Sequence, residues 1–154
     1  MVRYFEDLTP GETVTVGTYE LTREEIISFA EQFDPQPFHT DEDAAVDSLF
    51  GQLVASGLHT LCISVRLFVT EFVAKPNGVA NMGGLGMDEL RWHEPVVPGD
   101  VLSLSITVQG KRPSTSTESR GYVEFERVVH RNENEAVLSF NSHNIIERRP
   151  PDGR

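Results

Sequence analysis

The sequence predicts an α+β fold in which an antiparallel sheet wraps around one long central helix. Two observations lead to this prediction. Residues 56–74 are apolar on more than one face of a helix, so the rest of the chain must largely enclose that helix. Four strand-like runs separated by turn signals follow it, which is typical of an antiparallel sheet. The length of 154 residues fits one domain that covers residues 1–154.

The N-terminal part of the sequence predicts one strand and one capped helix. Residues 11–21, GETVTVGTYEL, alternate apolar and polar side chains and end in a polar turn, as a strand does. Thr22 and Glu25 have the spacing of a capping box, and the apolar stripe that follows them stops at Pro35. This helix therefore places Asp34 at its C-terminal end.

The long helix begins beside Ser56, which is expected to cap its N-terminus. A short helical turn is expected before it, within residues 41–51, DEDAAVDSLFG. The single cysteine, Cys62, lies inside the long helix among apolar neighbours. Because it can form no internal disulfide, we expect it to be a buried structural thiol.

The C-terminal half of the sequence predicts the strands of the sheet. The four strand-like runs are LRWHEPV (90–96), VLSLSITVQG (101–110), GYVEFERVVH (121–130) and AVLSFNSHNII (136–146). The glycine-containing residues 71–90 are expected to form a flexible rim that shapes a binding pocket. Residues 148–154, RRPPDGR, are expected to form a loose C-terminal tail.

The net charge of −11 is concentrated in the first third of the chain, where residues 1–50 hold twelve acidic residues against two arginines. An acidic surface disfavours nucleic acid, because a phosphate backbone requires a basic face. No apolar run reaches the roughly 18 residues that span a bilayer, and the N-terminus has no apolar signal segment. We therefore expect a cytoplasmic protein that binds neither nucleic acid nor a membrane.

The stretch FDPQPFHTDEDAA, residues 33–45, contains the strongest candidates for chemistry. It places Asp34 and His39 five residues apart with two prolines between them, and these prolines predict a stiff loop instead of a helix. A carboxylate and an imidazole held at a fixed separation can bind a water molecule and transfer its protons. The structural alternative is a surface pair that precedes an acidic helix start.

A second candidate element is LVASGLHT, residues 53–60. Gly57 falls in the first turn of the long helix, where its N–H has no partner and the helix dipole favours negative charge. Such an N–H can stabilise an enolate oxygen. The structural alternative is that Gly57 only lets the helix begin close to a strand. Together with Asp34 and His39, this N–H would complete the groups needed to add water to a double bond conjugated to a thioester.

These stretches resemble the MaoC-like dehydratases and the (R)-specific enoyl-CoA hydratases. Four residues match the hydratase motif of that family, namely Asp34, Pro37, His39 and Ala45. Residues 49–60 are similar to the segment that opens the long helix of these proteins, and residues 90–108 are similar to their PV-x-PGD strand. The resemblance implies a hot-dog fold, in agreement with the enclosed helix and the antiparallel strands.

The resemblance also implies roles for individual residues. Asp34 and His39 would be the acid/base pair, and Gly57 would supply the N–H of an oxyanion hole. The residues expected to contact the substrate are Gln36, Phe38, Ser56 and His59. Gln36 stands where the motif has asparagine, and Ser56 stands where many relatives have histidine. These two differences imply hydratase chemistry with an altered substrate preference.

The function implied is that of a hydro-lyase, which interconverts a 2-enoyl-CoA and an (R)-3-hydroxyacyl-CoA or a related hydroxyacyl thioester. Coenzyme A is then part of the substrate. No metal and no other cofactor are expected, because the remaining histidines lack the spacing of metal ligands. The resemblance implies a homodimer or a higher homo-oligomer. An acyl-CoA thioesterase of the same fold and a non-catalytic acyl-thioester-binding protein remain as alternatives.

Overall fold

The computed structural model describes residues 1–152, which form one sheet and a set of helices. The strands are β1 (Thr13–Glu20), β2 (Asn81–Trp92), β3 (Val101–Pro113), β4 (Arg120–Arg131) and β5 (Glu135–Glu147). The helices are α1 (Arg23–Phe33), α2 (Pro37–Thr40), α3 (Glu42–Val46) and α4 (Gly57–Phe68), with a 3-10 turn at Phe5–Asp7 and a π-helical turn at Val69–Val73 that continues α4.

The five strands form one antiparallel sheet in the order β1-β3-β4-β5-β2. The two hairpins that join β3 to β4 and β4 to β5 make the centre of this sheet, and β1 and β2 are its edges. Side chains on β3 and β4 alternate between buried and partly exposed, because successive residues of a strand point to opposite faces. The prediction of an α+β fold with an antiparallel sheet and a long helix is confirmed.

Helix α4 packs against the inner face of the sheet. Ile63, Leu67 and Phe68 are buried there, and the ring of Phe68 lies 5.7 Å from that of Phe125 on β4. The predicted N-cap is confirmed, since the Oγ of Ser56 accepts a hydrogen bond from the N–H of Leu58. These contacts place the N-terminus of the helix near the end of the sheet at which β2 ends and β5 begins.

The outer face of α4 is less enclosed than the apolar sequence suggested. Leu58 is 46% exposed and Val65 is 39% exposed, and Cys62 is also exposed, so the prediction of a buried thiol was wrong. The sheet covers only one side of the helix. Apolar composition shows that a helix needs cover, but it does not show whether the same chain provides that cover.

Strand β2 is longer and begins earlier than the sequence predicted. It starts at Asn81, so the second half of the glycine-containing segment is an edge strand and not a flexible rim. Its pairing with β5 shifts at three places, among them the step from Gly84 to Gly86, and such bulges obscure the alternation that identifies a strand. The strand ends at Trp92, and residues 93–96 are no longer part of it.

The segment with two prolines contains a helical turn, which corrects the prediction of a loop. Pro37 is the first residue of α2, a position where its missing N–H costs nothing and its fixed φ suits the helix. The backbone N–H of Asp41 then closes this turn onto the carbonyl of Pro37. Asp41 also caps α3, because its Oδ1 accepts hydrogen bonds from two N–H groups in the first turn. His39 therefore lies on a short rigid helix.

The start of the predicted C-terminal tail is bound to the N-terminal turn. The Nε of Arg148 donates a hydrogen bond to Glu6, and Arg149 forms an ion pair with Asp7. The last two residues of the tail, Gly153 and Arg154, lie outside the described residues. Within residues 1–152, no helix combines the length and the apolar character that crossing a membrane would need.

Candidate active site

A cavity of about 420 Å³ lies where α4 begins, beside the end of β2. Five of the residues predicted from the sequence line it, namely Asp34, Phe38, His39, Ser56 and Gly57. The segment 92–96, Val137 and further residues between Phe50 and Thr60 complete its walls. The fold therefore brings the two candidate elements of the sequence to one cavity.

Asp34 is held at the C-terminus of α1 with both carboxylate oxygens engaged. Its backbone N–H donates to the carbonyl of Ala30 at 2.8 Å, which ends the helix. The Oγ–H of Ser56 donates to Oδ2 at 2.7 Å, and the Nε2–H of Gln36 donates to Oδ1 at 2.7 Å. Gln36, which was predicted to contact the substrate, does not line the cavity. Its observed side-chain contact is with the carboxylate of Asp34.

The surroundings of Asp34 favour its ionised form. Burial by itself would raise the pKa of the carboxyl group. The hydrogen bonds from Ser56 and Gln36 and the nearby imidazole of His39 outweigh this effect, so the pKa lies below its ordinary value. Asp34 is therefore a carboxylate at neutral pH, and it can accept further hydrogen bonds.

The imidazole of His39 is almost fully buried and faces Asp34. Its Nδ1 lies 2.7 Å from the carbonyl oxygen of Val54, and a carbonyl can only accept, so Nδ1 carries a proton. Nε2 lies 3.4 Å from Oδ2 of Asp34. When the imidazole is neutral with its proton on Nδ1, Nε2 of His39 and Oδ2 of Asp34 are both hydrogen-bond acceptors. One water molecule that donates to each of them would satisfy both.

Gly57 presents a backbone N–H at the first position of α4. This position has no acceptor within the helix, and the helix dipole favours negative charge there. Ser56 precedes it, and its Oγ accepts from the N–H of Leu58 while donating to Asp34. The helix terminus and the carboxylate are therefore linked through one hydroxyl group.

Trp92, which lies in the strand-like run predicted at residues 90–96, lines the cavity. Its indole Nε1–H donates a hydrogen bond to the carbonyl of Gly57 at 2.9 Å. The next residue, His93, also lines the cavity, with Nε2 2.7 Å from Oγ of Ser139. No local pattern identifies these residues, since they lie at the point where β2 ends and joins a segment without regular structure.

His59, predicted to contact the substrate, does not line this cavity. Its ring stacks on Phe29 with the centroids 4.4 Å apart, and only 7% of the residue is exposed. Among residues 1–152, its Nδ1 has no hydrogen-bond partner. Burial lowers the pKa of His59, and the negative charge of Glu25 acts more weakly in the opposite direction.

The buried His59 predicts a loss of stability in acid. The unfolded chain takes up a proton at this side chain near pH 6.5, whereas the folded protein resists it until a lower pH. The free energy of unfolding should therefore fall as the pH drops through this interval, by at most about 1.4 kcal/mol per pH unit from this group. Urea unfolding at pH 7.5 and pH 5.5 measures this fall.

The variant His59→Phe keeps an aromatic ring against Phe29 and has no titratable group. We expect it to show a smaller decrease in unfolding free energy between the two pH values than the wild type. An equal decrease in both proteins would contradict the assignment of this pH dependence to His59.

No group of three or more His, Cys, Asp or Glu side chains within residues 1–152 is arranged to hold a metal ion. The described residues place a carboxylate, an imidazole and a helix N-terminus around one cavity. The carboxylate and the imidazole can exchange protons with a bound water molecule. The helix N-terminus can donate a hydrogen bond to a developing oxyanion.

Comparison with known proteins identifies the family. The sequence model described as "MaoC like domain" matches residues 6–129, which is most of the chain. The chain belongs to the MaoC-like domain family. This MaoC-like chain is 32% identical to the protein YdeM of Bacillus subtilis (strain 168) over 108 residues, which make up 70% of this chain and 74% of YdeM.

Solved structures agree with this assignment. The crystal structure of the MaoC-like dehydratase from Rhodospirillum rubrum is 37% identical, with a TM-score of 0.85 over 96% of this chain and 99% of that chain. The R-hydratase PhaJ1 from Pseudomonas aeruginosa, in its unliganded form, shares the fold at 22% identity, with a TM-score of 0.72 over 94% of this chain and 85% of that chain. The resemblance to the MaoC-like family and the hot-dog fold are confirmed, and membership supports a role as a hydratase or dehydratase.

Proposed function

We propose that this MaoC-like protein is a hydro-lyase that interconverts a 2-enoyl-CoA and the corresponding (R)-3-hydroxyacyl-CoA. One observation carries the proposal. Nε2 of His39 and Oδ2 of Asp34 face each other 3.4 Å apart in a cavity that Gly57 also lines. A pair of acceptors formed by a buried imidazole and a partly exposed carboxylate, beside a free helix N-terminus, suits a reaction that adds water and develops negative charge on a thioester oxygen.

The acid/base pair accounts for the addition of water. A water molecule donates one hydrogen bond to Asp34 and one to His39, which directs a lone pair of its oxygen toward the β-carbon of the substrate. As the C–O bond forms, Nε2 of His39 accepts a proton from the water, and the carboxylate of Asp34 stabilises the resulting imidazolium. The imidazolium then returns a proton to the α-carbon, so that the elements of one water molecule are added in total.

The N-terminus of α4 stabilises the negative charge that develops on the thioester oxygen. Attack at the β-carbon moves electrons onto the thioester oxygen, and the N–H of Gly57 stabilises the enolate that forms. The hydroxyl of Ser56 ties this helix terminus to Asp34, so the donor and the acid/base pair keep a fixed relative position. Phe38, Phe50 and Val96 supply an apolar wall suited to a hydrocarbon chain.

The direct test uses the absorbance of the conjugated enoyl thioester. Purified protein is mixed with crotonyl-CoA and with longer and branched 2-enoyl-CoAs, and the 3-hydroxyacyl products are resolved by their configuration. We expect loss of the enoyl absorbance and formation of the (R) product. Release of free thiol in place of hydration would instead indicate a thioesterase, and binding of acyl-CoA without any turnover would indicate a non-catalytic protein.

We expect the protein to act as a homodimer or a higher homo-oligomer. Strand β2 is an edge strand with unpaired backbone groups, and Met82, Leu85 and Met87 are exposed along it. The exposed side of α4 adds Leu58 and Val65 to the uncovered apolar surface. Light scattering after size-exclusion chromatography should give at least twice the chain mass of 17.2 kDa. A mass of one chain at micromolar concentration would contradict this expectation.

Ser56→Ala should raise the pH at which the carboxyl group of Asp34 takes up a proton. The variant loses a hydrogen bond that lowers the pKa of Asp34, so that pKa should rise. The side-chain carboxyl ¹³C resonance of Asp34 reports this ionisation directly, whereas activity in acid also requires an unprotonated Nε2 on His39. Followed by NMR from pH 2 to pH 7, the resonance should titrate at a higher pH in Ser56→Ala than in the wild type.

The matched control for this prediction is Ser64→Ala. Ser64 is also a buried serine at α4, and its Oγ–H donates to the carbonyl of Leu61, away from Asp34. We expect the Asp34 resonance of this variant to titrate as it does in the wild type. Ser56→Ala also removes the N-cap at a cost of about 1 kcal/mol, so both variants are compared at a temperature well below unfolding. An unshifted titration of Asp34 in Ser56→Ala would show that this hydroxyl does not control the pKa of Asp34.

A further inference from the structure

The single tryptophan of the chain, Trp92, contacts the proposed oxyanion site. It is the last residue of β2, it lines the cavity and it is 48% exposed. Its indole Nε1–H donates to the carbonyl oxygen of Gly57 at 2.9 Å. The residue that presents the oxyanion N–H therefore also accepts a hydrogen bond from a side chain on a separate strand.

The contact between Gly57 and the indole is too close for any other amino acid at position 57. A Cβ atom added to Gly57 would lie 2.4 Å from Nε1 of Trp92 and 2.5 Å from Cε2. The backbone of Gly57 does not itself require glycine, since its φ is not in the left-handed region. The indole, and not the local conformation, is therefore what excludes a side chain here.

Gly57 is thus held from two directions. On one side, the Oγ of Ser56 binds the N–H of Leu58 and the carboxylate of Asp34. On the other side, the indole of Trp92 packs against the Cα of Gly57 and binds its carbonyl.

The N–H of Leu58 and the carbonyl of Gly57 belong to the same peptide plane, which is therefore held at both of its polar groups. The N–H of Gly57 belongs to the preceding plane, whose carbonyl, that of Ser56, accepts hydrogen bonds from the N–H groups of His59 and Thr60. The indole therefore acts on the N–H of Gly57 through the Cα of Gly57, which joins the two planes.

We infer that Trp92 is a positioning residue that orients the N–H of Gly57 toward the thioester oxygen of the substrate. This inference rests on the proposed hydratase function and extends it to a residue outside the acid/base pair. The effect belongs to the transition state, because the oxygen gains charge only as the enolate forms. Loss of the orientation lowers kcat and leaves the binding of the ground-state substrate almost unchanged.

The kinetic test is Trp92→Phe, which retains an aromatic ring against Gly57 and removes the N–H donor. We expect kcat for crotonyl-CoA hydration to fall by about tenfold, with KM changed by less than about twofold. A residue that only contacts the substrate would give the opposite division, with a raised KM and an unchanged kcat. That opposite result, or wild-type values of both constants, would overturn the inference.

A second measurement does not depend on turnover. In ¹⁵N-labelled wild-type protein the single indole gives one Nε1–H resonance, and we expect this hydrogen to exchange with solvent at least about tenfold more slowly than in free tryptophan. In Trp92→Phe the amide resonances of Gly57 and Leu58 should move or broaden. An indole N–H that exchanges freely, or unchanged amide resonances in the variant, would overturn the inference.

The two measurements separate the inference from the function on which it rests. If the wild type hydrates no enoyl-CoA, the proposed function fails, and the exchange of the indole N–H still decides whether Trp92 restrains Gly57. If the wild type hydrates crotonyl-CoA and Trp92→Phe is equally active, the function stands and the positioning role fails.

Discussion

Replacing Asp34 by asparagine is expected to lower kcat/KM for hydration of crotonyl-CoA by about a thousandfold or more, while the protein remains folded. Asparagine has the shape of aspartate but carries no negative charge. It can neither stabilise an imidazolium at His39, 3.4 Å away, nor offer two acceptor oxygens to Ser56 and Gln36. The loss combines weaker placement of the water with loss of charge stabilisation, and each of these effects is large in a buried site.

The measurement is the initial rate of loss of enoyl absorbance, with circular dichroism and thermal unfolding to confirm that Asp34→Asn is folded. The matched control is Asp47→Asn, the same substitution at an exposed aspartate that follows α3. The control should keep wild-type activity within about twofold. If Asp34→Asn retains more than a tenth of the wild-type kcat/KM, the assignment of Asp34 to the reaction is wrong.

Replacing His39 by asparagine should have the second-largest effect, a decrease in kcat of about a hundredfold to ten-thousandfold. The amide of asparagine can imitate Nδ1–H and donate to the carbonyl of Val54, which preserves the local structure. It has no group that can take a proton at the position of Nε2. The proposed mechanism moves a proton through that nitrogen, so the substitution removes the step and leaves the cavity largely intact.

The same absorbance assay, run over a range of substrate concentrations, separates kcat from KM for His39→Asn. We expect most of the loss in kcat, because the imidazole acts after the substrate has bound. His130→Asn is the control, since His130 lies on β4 outside the cavity lining. A variant at position 39 with near wild-type kcat would show that another group transfers the proton.

Most of the helices and most of the strands were predictable because their signals are local. The cap at Thr22, the N-cap at Ser56 and the alternation of β3 and β4 all depend on residues a few positions apart. Where local rules compete, prediction failed. Pro37 excludes a helix around it as an interior residue but begins one as a first residue, and the sequence does not distinguish these cases.

Burial was less predictable than secondary structure. Cys62 has apolar neighbours in the sequence and is nevertheless exposed, because it faces the side of α4 that the sheet does not cover. His59 was expected at the substrate, yet it stacks on Phe29 away from the cavity. A position in the first helical turn does not say which way a side chain points, and the packing of α1 against α4 decides it.

The sequence by itself determined the α+β class, the family motif and the candidates Asp34, His39 and Gly57, since these depend on residue type and short spacing. Only the tertiary structure decided that Ser56 and Gln36 bind the two oxygens of one carboxylate, that Nε2 of His39 faces it, and that Trp92 meets Gly57. For Gln36 and His39, which are close to Asp34 in sequence, the reason is the helical turn that begins at Pro37. For Ser56 and Trp92 the physical reason is distance along the chain. Trp92 lies 35 residues from Gly57, and a contact of this kind exists only after β2 and α4 have packed into one fold.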